Sequence, residues 1–236
     1  LHTTATDKAT GEHTSKYGDK ITITDEVKFT NLIADGREYT ITGTIMIKET
    51  GEALKDADGN EKTGTVKMEL YPDQAPETVA NFVTLANNGY YNGLKFHRIA
   101  DNFVVQGGDK NGDGSGSANV SDLNKSVQAG SKDDYKYAIK GEFSANGINN
   151  NVKFGKGILG MARSDYSSYG LTEESYNSGS SQFFITTTDD SSKLKSLNQY
   201  YTAFGKVIEG YEHIEEIAKV YAGKEAKKST TTEGEN

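Results

Sequence analysis

Arg98 and Gln106 stand eight residues apart in a stretch that is otherwise aromatic and apolar: residues 96–109 run Phe-His-Arg-Ile-Ala-Asp-Asn-Phe-Val-Val-Gln-Gly-Gly-Asp. On the strand period of two, this segment can present a guanidinium and an amide beside an aromatic wall. A guanidinium donates through a fixed fork of N–H groups, an amide both donates and accepts, and an apolar floor keeps water away. Such a set can hold and twist a peptide amide with neither a metal nor a nucleophile.

Other chemistries find less support. The four histidines, His2, His13, His97 and His213, have no zinc-ligand spacing, and the chain contains no cysteine, so disulfides, thiol nucleophiles and thiolate metal sites are excluded. The absence of cysteine fits either redox compartment. No Gly-x-Ser-x-Gly word with an assignable histidine and acid marks a serine hydrolase. Asp109-Lys-Asn111-Gly-Asp113-Gly114 opens like a calcium-binding EF-hand loop, but its twelfth position is Val120 instead of a bidentate glutamate, and the flanks are strand-like. We therefore expect no metal and no cofactor. With 26 basic against 34 acidic side chains the net charge is -8, which argues against a phosphate-binding surface and hence against nucleic acid. There is no apolar run long enough to span a bilayer and no charged-then-apolar leader. The chain begins at Leu1, as a processed or excised product would.

The elements around Arg98 can be sketched from pattern. Thr63 to Tyr71 alternates polar and apolar as a half-buried strand. Pro76 suits a first helical turn, Glu77 its positive end, and Val79, Phe82, Val83, Leu85 and Ala86 form a helical apolar face that ends at Asn88-Gly89. A second helix is expected over 211–220, with Ile214, Ile217 and Ala218 on one side. Residues 110–137 lack either periodicity and exceed ordinary loop length. From Gly223 the chain is charged and threonine-rich, and 223–236 is expected to be a mobile tail.

With Gly-Ser-Ser-Gln-Phe-Phe-Ile at 179–185 and Phe-Gly-Lys-Val at 204–207, the Arg98 segment resembles the cyclophilin family of peptidyl-prolyl isomerases across residues 63–222. The resemblance implies a mainly β fold, a closed barrel capped by two helices, that accelerates rotation of Xaa-Pro bonds in proline-containing peptides and protein clients. It implies Arg98 as catalytic residue, Phe103, Val104, Phe184 and Leu197 as the proline-pocket wall, and Gln106 and Gln182 as polar binding groups. Ala162, Arg163 and Tyr201 match further substrate-binding positions. It also marks about twenty residues, from near Asn119 to Tyr135, as additional. Ser196 stands where vertebrate members carry tryptophan, so weak binding of cyclosporin is expected. The alternative is a proline-peptide binding module without turnover.

Residues 1–62 carry a different resemblance. Leu1-His2-Thr3-Thr4-Ala5, Ile23-Thr24-Asp25-Glu26-Val27, Asn31-Leu32 and Tyr39 to Thr44 are similar to the first half of immunoglobulin-like repeats of Gram-positive surface proteins, some closed by a Thr–Gln ester. In that family Thr3 would be the nucleophile and Asp25 its helper, but the later acceptor words are missing, so no ester is expected. The expected organisation is a partial immunoglobulin-like segment at 1–62, the isomerase-like unit at 63–222 and the tail, acting as a monomer outside a Gram-positive cell or at its surface, with a cytoplasmic location as the alternative.

Overall fold

The computed structural model describes residues 63–219 throughout, together with upstream strands at 5–7, 23–25 and 37–44. Two of these, β1 (Ala5–Asp7) and β2 (Ile23–Asp25), pair antiparallel with Ala5 opposite Asp25. Thr3, Val27, Asn31-Leu32 and the tail at 223–236 lie outside the described residues.

The strand β3 (Arg37–Thr44) pairs along its full length with β4 (Thr63–Leu70), Arg37 opposite Leu70 and Thr44 opposite Thr63. This ladder crosses the division placed at residue 62 and joins the upstream chain to the larger sheet. In β4 the alternation expected for a half-buried strand is present, with Val66, Met68 and Leu70 buried. Then α1 (Pro76–Asn87) opens with Pro76 and Glu77 in its first turn and stops at Asn88, where Gly89 takes φ +75°. Val79, Phe82, Val83 and Leu85 form its buried face.

The chain continues through β5 (Arg98–Ala100) and β6 (Val104–Gly107) into a short helix, α2 (Val120–Leu123). Next come β7 (Ile158–Met161), α3 (Thr172–Tyr176), β8 (Phe183–Thr186), α4 (Ser191–Tyr200) and β9 (Ala203–Glu209), and residues 211–219 are helical. The seven-stranded sheet has the order β3-β4-β9-β7-β8-β6-β5, with antiparallel neighbours throughout.

All four residues of β7 and all four of β8 are buried, because the sheet is covered on both faces at its centre. One face packs Val105, Leu159, Phe183, Ile185 and Phe204 against Val79, Phe82 and Val83 of α1. The other packs Val104, Phe184 and Ala203 with Phe154 against Leu194 and Leu197 of α4. Period two is thus obeyed by direction, even though every position is apolar.

Two expectations need correction. The sheet is open rather than a closed barrel: among the described residues no ladder joins β5 to β3. Irregular register at Lys67/Met68 and Leu159/Gly160 breaks the ladders of β4 and β7 with β9, and β5 is only three residues long, so its outer edge offers few groups for a closing pair. Nor are there only two helices. The chain adds α2, α3 and α4, and α4 covers the second core rather than an end of a barrel.

The segment 110–137 is built on local hydrogen bonds. Asn119 and Lys136 form a bridge at its base, and Asp134 accepts from the backbone N–H groups of Ser121 and Gly130 at 3.0 and 2.8 Å. Asn88, just past α1, donates to the carbonyls of Asp122 and Leu123 at 2.7 and 2.9 Å.

Candidate functional site

Strand register places the candidate residues in one row. Arg98 on β5 is opposite Gln106 on β6, Gln106 is opposite Phe184 on β8, Phe184 is opposite Gly160 on β7, and Gly160 is opposite Ala203 on β9. Register partners share a face, so the guanidinium, the amide and the aromatic ring all project to the side that holds Val104 and Leu197. A one-residue slip anywhere in the row would turn Arg98 or Phe184 to the α1 side.

At the polar end Arg98 is exposed, and its Nη1 donates to Gln106 Oε1 at 3.1 Å. Gln106 Nε2 donates to Gln182 Oε1 at 2.9 Å, and Gln182 Nε2 donates in turn to the carbonyls of Gly114 and Gly116 at 3.0 and 2.7 Å. The apolar end is a continuous wall. Phe184 stacks on Phe154 with ring centroids 5.7 Å apart and meets Tyr201 edge-on at 5.7 Å, while Phe103 and Ala162 pack on the same cluster. Gly160 leaves the room this needs, since a Cβ there would lie 2.2 Å from the Phe184 ring.

The structure therefore brings together Arg98, Phe103, Val104, Gln106, Ala162, Gln182, Phe184, Leu197 and Tyr201. Arg163 lies beside them, next to Tyr201. Its Nε donates to the Tyr200 carbonyl at 2.9 Å, Nη1 donates to Ser164 O and Ser175 Oγ, and its Cζ lies 4.7 Å from the Tyr201 ring centroid and 5.3 Å from that of Tyr176. The guanidinium is held against the Tyr201 ring, which packs on the aromatic cluster. Ser196 is exposed on α4, one residue before the buried Leu197.

Sequence reasoning missed Phe154 and Asp109. Phe154 sits in a glycine-flanked stretch with no periodicity to mark it. The Asp109 side chain was visible only as the first position of the calcium-like word; in the fold it turns inward, 1% exposed, to accept from the backbone of Asn111 and Asp113 at 2.8 and 3.0 Å and from Gly114. Burial pushes its pKa up, but these donors and nearby His97 outweigh that and hold it below the ordinary carboxylate value. A carboxyl depressed in the folded state stabilises the fold above its unfolded pKa, and that contribution is lost as pH falls through the folded value.

An exposed arginine bonded to a chain of two amides beside a buried aromatic cluster is a set of groups that can hold a peptide without a nucleophile to bond to it covalently. Comparison with known proteins agrees with that class. The family model for cyclophilin type peptidyl-prolyl cis-trans isomerase matches residues 57–233. A peptidyl-prolyl cis-trans isomerase of Staphylococcus aureus (strain USA300) is 30% identical over 178 residues, covering 70% of this chain and 81% of that one. One from Arabidopsis thaliana is 32% identical over 160 residues, covering 68% and 80%. The crystal structure of a Cryptosporidium parvum cyclophilin type isomerase aligns with a TM-score of 0.50 at 30% identity, covering 66% of this chain and 78% of that chain. The chain belongs to the cyclophilin-type peptidyl-prolyl cis-trans isomerases.

Proposed function

We propose that Arg98 is the group that accelerates rotation, with a substrate proline seated against Phe103, Val104, Phe184, Leu197 and Tyr201. Gln106, Gln182 and Ala162 hold the flanking peptide, and Arg163 serves the site by fixing the Tyr201 ring. The observation that supports this reading is the cross-strand row that sets Arg98, Gln106 and Phe184 on one face.

A prolyl amide resists rotation because nitrogen lone-pair density is shared with the carbonyl, a barrier of about 20 kcal/mol. In the twisted state the nitrogen is pyramidal and recovers that pair, which an Arg98 N–H can then contact. The interaction is absent in the planar ground state, so it lowers the barrier without tightening ground-state binding. Lowering the barrier by about 7 kcal/mol accelerates rotation roughly 10⁵-fold. The apolar wall helps because the twisted amide is less polar than the planar one and loses less on leaving water. The residues of the site suffice for this chemistry without any cofactor.

Exchange NMR on a Xaa-Pro peptide tests the reading. Sub-stoichiometric protein is expected to raise cis/trans exchange above the uncatalysed rate; binding-induced shifts without faster exchange would instead favour a peptide-holding module.

We further propose that the protein acts outside a Gram-positive cell or at its surface, a reading supported by the words in residues 1–44 that resemble surface-protein repeats. Protease shaving of intact source cells should release it, and confinement to the cytosolic fraction would overturn this.

A further inference from the structure

We propose that Asp109 is a positioning residue for Arg98, acting through the turn at 109–116 and the two glutamines. The idea rests on Arg98 being the catalytic donor. Asp109 gathers the backbone N–H groups of Asn111, Asp113 and Gly114, which aims the carbonyls of Gly114 and Gly116 at Gln182. The turn is closed tightly enough that a Cβ on Gly116 would lie 1.8 Å from Asp109 Oδ1.

The chain of hydrogen bonds from that turn to Arg98 has a direction. Two carbonyls at its far end require Gln182 to offer its NH2 there, which leaves the Gln182 oxygen facing Gln106. Gln106 must then offer its own NH2 to Gln182, leaving its oxygen for the guanidinium. Inverting either glutamine sets donor against donor, at one end NH2 against Arg98. An amide alone has no preference between its two orientations; the turn's two carbonyls at one end and the guanidinium at the other select the same one, and the turn holds the far end in place. Asp109 thereby sets where the Arg98 fork points without touching the substrate.

The test is a mutant cycle read by exchange kinetics and by the NMR resonance of the Arg98 Nε–H. Asp109→Asn replaces an acceptor oxygen by a donor and should loosen the turn, lowering kcat about 5- to 10-fold with KM within about 2-fold, and moving the Arg98 resonance. In a Gln182→Met background, where the chain is already cut, Asp109→Asn should change kcat less than about 2-fold. A merely structural role would multiply the two effects. That outcome, or a wild-type kcat in Asp109→Asn, overturns the proposal. If Asp109→Asn does not fold, Gly112→Ala replaces it: φ there is +71° and an added Cβ meets nothing within 4 Å, so the turn is bent without a clash. The same non-additivity with Gln182→Met is then required. Arg98→Ala separates the two layers: a folded Arg98→Ala with full activity removes the catalytic reading, whereas loss in Arg98→Ala beside an unaffected Asp109→Asn removes only the positioning role.

Discussion

Arg98→Ala is expected to lower kcat/KM for a Xaa-Pro peptide by about 10²-fold, equivalent to roughly 3 kcal/mol of lost transition-state stabilisation. The side chain is exposed and hydrogen-bonds another side chain, Gln106, so the melting temperature should stay within a few degrees of wild type. A protease-free isomerisation assay together with a thermal melt reads both quantities. Full turnover in a folded Arg98→Ala protein would refute the assignment. Arg98→Lys is the sharper companion, because it keeps the charge but removes the planar fork that reaches Gln106.

The largest effect on stability is expected at Glu142. Its side chain is buried, and its two carboxylate oxygens accept from the first free backbone N–H groups of α1, Glu77 N at 3.0 Å and Thr78 N at 2.9 Å. The residue preceding α1 is Ala75, which has no side-chain acceptor, so this distant carboxylate does the work of a helix cap and meets the positive end of the helix dipole. The same residue's backbone N–H donates to Thr202 Oγ1 at 2.8 Å, and Asn150 bridges its carbonyl to that of Ala203. Replacing Glu142 with alanine takes the acceptor from the buried Thr78 N–H and the part-buried Glu77 N–H and should cost about 3 kcal/mol, a fall in Tm of roughly 6–12 °C. Glu142→Gln keeps one acceptor and should lose about half as much. Kinetic constants measured well below the transition should stay near wild type, and an unshifted melt in Glu142→Ala would remove the capping role.

Local pattern was enough to read the Arg98–Gln106 pair. Two short strands around a tight turn at 101–103 obey period two, and eight residues of separation return the chain to the same face. The start, apolar face and stop of α1 were equally legible, since each is signalled by residues inside the helix. The cap supplied by Glu142 was not, because it comes from 64 residues downstream. Nor was α4 recognised. Only Leu194 and Leu197 are buried in it, too few for a helical stripe, and its signal was the Asp190 side chain accepting from Ser192 N. The closed barrel came from family resemblance and not from periodicity, and pattern along one strand cannot show whether two edges meet. Asp109 resembled a calcium ligand because a carboxylate opening a glycine-rich turn is common to both arrangements; whether it faces an ion or the turn's own N–H groups depends on burial. Arg163 could be placed near the site by resemblance, but its stacking on Tyr201 and Tyr176 joins residues far apart in the chain.

The position of β4 in the sheet also bears on synthesis at the ribosome. Its two neighbours are made at very different times: β3 emerges before it, whereas β9 follows far downstream, and Lys67 meets Glu209 across 142 residues. At about 5–20 residues per second, roughly 7 to 28 s pass before the second neighbour exists. Over that interval β3 can shield one side of the nascent strand while the side reserved for β9 stays exposed to other chains in the polysome. A member of a family that shortens the slow rotation of prolyl bonds thus carries, in the order of its own strands, a wait comparable in length to the uncatalysed rotation.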